Sequence, residues 1–207
     1  MAAVESRARL LTLKDYLALP EDNGLEREII RGRLFVPPRP RILHQHLLGE
    51  LFELLRGYIR QRGGHTIQVI LDADLLMDTL NTYLSPDLMY FPAEAVPTLL
   101  DLMARGHRIH LLDARPELVV EVLSPQSEEH DLVEKQAVYA EAGIPHYWVF
   151  DPQEQAFGEF VLDPERGTYV EHWHEHGAVR PRLFADAQPP FTLELPRLWP
   201  AGPYPPA

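Results

Sequence analysis

Between Leu118 and Phe150 the chain reads as strand, break, helix, glycine and strand, and this succession limits the available folds more than any other stretch. Leu118 to Leu123 is an apolar run of strand length, and Ser124-Pro125 ends it. Ser127 can cap a helix whose first turn holds Glu128 and Glu129, at the end of the helix dipole that favours negative charge. Gly143 closes that helix before a second apolar strand, Pro145 to Phe150. About 33 residues is the length of a βαβ crossover, so the expectation is an α/β domain with a central mixed sheet flanked by helices.

Elements on either side fit that plan. Thr12 to Leu19 reads as a short helix capped by Thr12 and stopped by Pro20, and Leu25 to Ile30 with Arg33 to Val36 flank a turn at Arg31-Gly32. Leucines at 43, 47, 51, 54 and 55 with Ile59 predict a long helix from Ile42 to about Arg60, ended by Gly63-Gly64. Strands are expected at His65 to Leu71, Ala73 to Asp78 and Asp87 to Phe91, then a helix over Pro92 to Arg105. More strands are expected over 157 to 195. One domain is expected over residues 1–207, its core spanning about 12–195 and residues 196–207 forming a Pro-rich tail.

Composition excludes some chemistry. The chain has no Cys, so a metal would have to be held by carboxylate, imidazole or carbonyl groups. The net charge of −12 argues against non-specific coating of nucleic acid, but it allows a nuclease, which gathers carboxylates around a cation. No apolar run approaches the roughly 20 residues needed to span a bilayer, and the start lacks the apolar core of a signal peptide. A cytoplasmic location with no membrane partner is expected. No GxGxxG, Walker A or GxSxG pattern occurs.

Three side chains invite a functional reading, each beside a plainer one. Glu121 shares a strand face with Val119 and Leu123, and burying its carboxylate without a partner would cost several kcal/mol. It should therefore meet a cation, a metal or a tight hydrogen-bond set, the plainer case being an ion pair with one of the 17 arginines. Asp87 follows Pro86 at a strand mouth, where it could bind a ligand or serve as a turn residue. Lys135 sits in the helix after Glu121, where it could reach back to the site or pair with Asp131 at i, i+4.

Taken together, Ser85-Pro86-Asp87, the run Leu118 to Pro125, then Asp131, Lys135, Tyr139, Gly143 and Tyr147 to Pro152 resemble a widespread bacterial family abundant in cyanobacteria. That family is restriction-endonuclease-like and lies within the PD-(D/E)XK nuclease superfamily. The resemblance extends over about residues 12 to 195, takes Leu25 to Gly32 as a Glu-containing hairpin and places His44 at the start of the long helix. It implies that Asp87 and Glu121 are the metal-binding carboxylates. The superfamily pattern has Lys two residues after the second acid, where this chain has Leu123; in the family that lysine moves to the following helix, which maps onto Lys135. Only one other lysine, Lys14, occurs in the chain. Glu28, Asp131 and His44 would support the site, and the Val120 carbonyl could join the metal.

The resemblance thus implies a restriction-endonuclease-like fold and a Mg²⁺- or Mn²⁺-dependent endonuclease acting on DNA, for which a homodimer would suit cutting two strands. Asp and Glu are hard donors suited to Mg²⁺, and a lysine can offset charge on phosphate. Two rival readings are a nuclease-like fold that binds without cutting, and a metal module built on His172, His174 and His176, which alternation would place on one strand face. His44 and His46 diverge on a helix and form no ready chelate. Arg31, Arg33, Arg39 and Arg41 are the densest candidates for a basic groove, or else a solvated loop.

Overall fold

The computed structural model describes residues 10–18 and 27–199. Helix α1 (Leu13–Leu17) begins with a capping box between Thr12 and Asp15, as the sequence suggests; Leu19, Pro20 and Leu25 lie outside the described residues. Strands β1 (Glu28–Ile30) and β2 (Arg33–Phe35) form the expected hairpin. Arg31 and Gly32 both have positive φ, 50° and 83°, as a type I′ turn requires. A side chain at position 32 would also run into Asn81, Leu10 and Leu11 at 2.9 Å.

Helix α2 (Ile42–Gln61) buries Leu47, Leu48, Leu51, Leu55, Tyr58 and Ile59, the stripe that its leucine spacing predicts. The strand expected from His65 starts later: Thr66–Gln68 form a 3₁₀ turn capped by the His65 side chain, and β3 covers Val69–Leu71. Strand β4 (Leu75–Met77) is followed by a turn through Asn81, at φ 47°, into β5 (Thr82–Leu84), a strand not among those expected. Beyond β6 (Leu88–Tyr90) come helix α3 (Val96–Arg105), β7 (Ile109–His110) and β8 (Leu118–Val122).

After β8 the chain is helical from residue 128, but His130–Lys135 is a π-helical stretch before α4 (Gln136–Glu141). Strand β9 (His146–Asp151) runs parallel to β8, which confirms the crossover. Strands β10 (Ala156–Asp163), β11 (Thr168–His174), β12 (Ala178–Val179) and β13 (Leu193–Glu194) precede α5 (Leu195–Leu198). Leu195, Leu198 and Trp199 are buried in the core, so Pro196 does not begin a tail; residues from 200 onward lie outside the described residues. The proline-based expectation fails because the flanking Leu and Trp have apolar area to bury.

The strands form two mixed sheets and a small pair rather than one sheet. Six strands run in the order β11-β10-β9-β8-β6-β3, and five in the order β2-β1-β5-β4-β7. One bent hairpin links the two: β3 pairs with β6 in the first sheet, and β4 with β5 in the second. The arms change sheet across residues 72–74 and 85–87, where Asp72 adopts φ 44° and donates its N–H to the Asp87 carbonyl.

Alternation along β8 assigns its two faces. Leu118, Val120 and Val122 pack with α2, Trp148, Phe150 and the C-terminal Leu198 and Trp199. Val119 and Leu123 pack with α3, α4, Tyr147 and Val149 on the other face. Glu121 shares that second face, so the fold turns its carboxylate toward the helix carrying Lys135.

Candidate active site

Asp87 immediately precedes β6 at the break in the bent hairpin, and continuing the β6–β8 register past Leu88 and Val120 sets it opposite Glu121. Because the regular ladder has ended there, the Asp87 side chain takes its place: Oδ2 accepts the Val122 N–H at 2.7 Å. The same oxygen lies 3.1 Å from His44 Nε2, at the first turn of α2.

Glu121 is 3% exposed, and its Oε1 accepts hydrogen bonds from Lys135 Nζ at 3.0 Å and from the Tyr139 hydroxyl at 2.8 Å. Lys135 is as deeply buried. Its ammonium also stands 3.1 Å from Glu28 Oε1 and 3.3 Å from Asp131 Oδ1. Glu28 Oε1 further accepts the Ser85 N–H, while its Oε2 meets His130 Nε2 at 3.1 Å. The other imidazole nitrogen of His130 contacts Glu134, and the ring stacks on Phe35. The π-helical stretch makes this possible, because its wider turn brings residues five apart onto one face, and His130 and Lys135 are five apart.

The electrostatics follow from one ammonium shared by three buried carboxylates. Burial pushes the Glu121 carboxyl well above the usual carboxylate range against the pull of Lys135, and neighbouring Asp87 pushes it further. Burial also raises Glu28, but Lys135, His130 and the Ser85 N–H more than offset this and hold it below its ordinary value. Burial disfavours the Lys135 charge, yet Glu121, Glu28 and Asp131 together hold its ammonium well above the usual range. Lys135 is therefore a hydrogen-bond donor and a fixed positive charge, and neither gives up its proton nor acts as a base.

The structure brings Asp87, Glu121, Lys135, Glu28, Asp131 and His44 together on one cleft of about 510 Å³. Val122, not Val120, lines it: Val120 is held mid-strand between Leu88 and Trp148. Arg39 and Arg41 reach the cleft, whereas Arg31 pairs with Glu141. His130 and Glu134 carry no advance signal, because a π-helical register has none in the sequence, and Ser85 stands out only as part of the Ser-Pro-Asp motif. The histidine strand does not converge on a metal. His172 Nε2 is taken by Arg182, His174 stacks on Phe157, and among the described residues no three His, Asp or Glu groups could hold an ion as a preformed set.

Whether a metal suits the cleft is decided by its donors. Asp87 Oδ1 and Glu121 Oε2 accept no hydrogen bond among the described residues, so each carboxylate has one oxygen to offer. Two hard carboxylate oxygens suit Mg²⁺ or Mn²⁺, which keeps most of its waters and needs no all-protein cage.

Comparisons with known proteins bear on the fold and the family. No curated protein matches the sequence. A crystal structure described as a "putative nuclease belonging to DUF820", from Anabaena variabilis, superposes with a TM-score of 0.70 at 19% identity. The match covers 91% of this chain and 97% of that one, and it shows a shared restriction-endonuclease-like fold. Residues 13–193 match the Uma2 family, described as "Putative restriction endonuclease", and this span takes in every residue of the cleft floor, so the chain belongs to that family.

Proposed function

We propose that the protein is a metal-dependent endonuclease that hydrolyses phosphodiester bonds in DNA. The observation that carries this reading is a buried lysine shared by Glu28, Glu121 and Asp131 at the floor of a cleft that also holds Asp87. An ion-pair cluster of this expense, opening onto a cavity, is where perturbed ionisation serves chemistry.

Asp87 Oδ1 and Glu121 Oε2 would hold Mg²⁺ or Mn²⁺, which when bound lowers the pKa of a water and offsets charge on the phosphate. Lys135 hydrogen-bonds the attacking water or a phosphate oxygen and stabilises the negative charge that develops. Glu28, anchored by Ser85 and His130, keeps the Lys135 side chain aimed at Glu121. His44 and the Val122 N–H fix the Asp87 carboxylate. The first turn of α2 carries no acidic residue, so its N–H groups favour an incoming phosphate. Water adds to phosphorus and the bond to the leaving strand breaks, giving one phosphate end and one hydroxyl end.

The test is nicking of supercoiled plasmid in Mg²⁺, Mn²⁺ or EDTA by the wild type, Glu121→Gln and Lys135→Met, each checked for folding. Metal-dependent nicking lost in both folded variants is the expected result. A second reading, a nuclease-like fold that binds without cutting, is favoured by the closure of Lys135 and Tyr139 on Glu121 Oε1, which satisfies these groups without a metal. No nicking with any metal would put that reading first.

A further inference from the structure

The floor of the cleft is deeply placed. Glu28, Glu121, Asp131 and Lys135 are only 1–4% exposed. The cavity of about 510 Å³ is of the size that encloses a small organic molecule, roughly 300–1,000 Å³. One wall is Pro37-Pro38-Arg39-Pro40, in which the prolines have no backbone N–H to offer a phosphate. Beside it Phe35 lines the cleft with its ring stacked on His130 of the floor. Val36 and Ile42, 47% and 91% exposed, flank lining residues in sequence without lining this wall themselves. The basic groups there are Arg39 and Arg41.

Such a wall is poorly matched to a double helix, whose outer surface is phosphate and sugar and whose bases are stacked within. It suits a strand whose bases are free, because their faces stack on aromatic and apolar side chains while a few cations track the backbone. Charge points the same way. A chain of net −12 repels a duplex, with one charge per about 1.7 Å, more than a single strand with one per about 3.4 Å.

We infer that the strand entering this cleft is unpaired: the substrate is single-stranded DNA, or an unpaired segment within a duplex. A base lies against the wall from Phe35 to Pro40 while the adjacent phosphate reaches Asp87, Glu121 and Lys135. This inference rests on the nuclease reading for its chemistry, but not for its binding preference.

Fluorescence anisotropy of the wild-type protein in EDTA, with a labelled single strand and with the same strand in full duplex, reads that preference without cleavage. Binding of the single strand at least tenfold tighter is expected. Arg39→Ala, at an exposed position of the cleft wall, should weaken the single strand several-fold and leave the melting temperature unchanged. In Mn²⁺, the single strand should be cut at least tenfold faster than the duplex, and a duplex with a central unpaired bubble should be cut within the bubble. Duplex bound equally or more tightly, or cut uniformly along its length, overturns the inference. Absence of cleavage on every substrate, with the binding preference intact, overturns the nuclease reading alone.

Discussion

Two glutamates are buried in the six-stranded sheet, and the protein accommodates them differently. Glu159 on β10 is 2% exposed, accepts the backbone N–H of Arg182, and has that residue's half-exposed guanidinium 3.8 Å away. Glu121 on β8 is 3% exposed, but the lysine and tyrosine that hold it are themselves buried, and the lysine serves two more carboxylates. Burial raises both carboxyls, and for Glu159 the Arg182 N–H pulls back. A buried acid on a strand is therefore not by itself the mark of a site. What distinguishes Glu121 is a buried, shared partner and a cleft on which the whole group opens.

The largest expected effect breaks the Glu121 side of this comparison. Lys135→Met leaves three carboxylates around no cation and should cost about 3–5 kcal/mol of stability in urea unfolding at neutral pH. It should also lower nicking on the order of 10²–10³-fold. Glu121→Gln should lose activity comparably while keeping its fold. If either variant cut at the wild-type rate, the site assignment would fail.

His146, on the strand beside both glutamates, supplies a third way to bury a titratable group: it gives up its charge. Its Nδ1 is buried without a hydrogen-bond partner, and burial pulls its pKa down to about 4 from an ordinary 6.5. The folded state thus binds fewer protons than the unfolded state between those values. Stability should fall as pH drops from about 6.5 toward about 4, by roughly 2–3 kcal/mol, and level off below. His146→Phe should remove that part of the slope in pH-dependent melting; an unchanged slope would place it in other groups.

Smaller effects sharpen the contrast. Tyr139→Phe removes one hydrogen bond to Glu121 and should cost about 1–2 kcal/mol in unfolding, with activity reduced several-fold. Glu159→Gln should cost about 1 kcal/mol and leave nicking unchanged, since its partners lie away from the cleft. Loss of nicking in Glu159→Gln would erase the distinction between the two acids. Replacing His172 and His174 together by Ala should leave Zn²⁺ binding, followed by calorimetry, unaltered.

Much of the fold is legible in local pattern. The leucine spacing of α2, the positive-φ turn at Arg31-Gly32 and the apolar strands joined through Gly143 each carry their signal within a few residues. Less visible are elements whose pattern is short or borrowed. Strand β5 is three residues beginning with Thr82, and the 3₁₀ turn at Thr66–Gln68 imitates strand alternation. Leu198 and Trp199 become core only because α2 and β9 offer them a surface.

The site divides along the same line. Glu121 is conspicuous as a charge in an apolar strand, and Asp87 and Lys135 become candidates once family resemblance joins them. Their spatial meeting, with Glu28 and His130 drawn in from positions about a hundred residues apart, is a tertiary fact. Sequence by itself determined the crossover, the long helix and the cost of a carboxylate at position 121, because these depend on periodicity and on the solvation of single groups. Only the tertiary structure decided which cation answers that carboxylate, that the histidine strand gathers no metal set among the described residues, and that the chain from Leu195 to Trp199 is core. Those outcomes depend on distances between segments that no local pattern encodes.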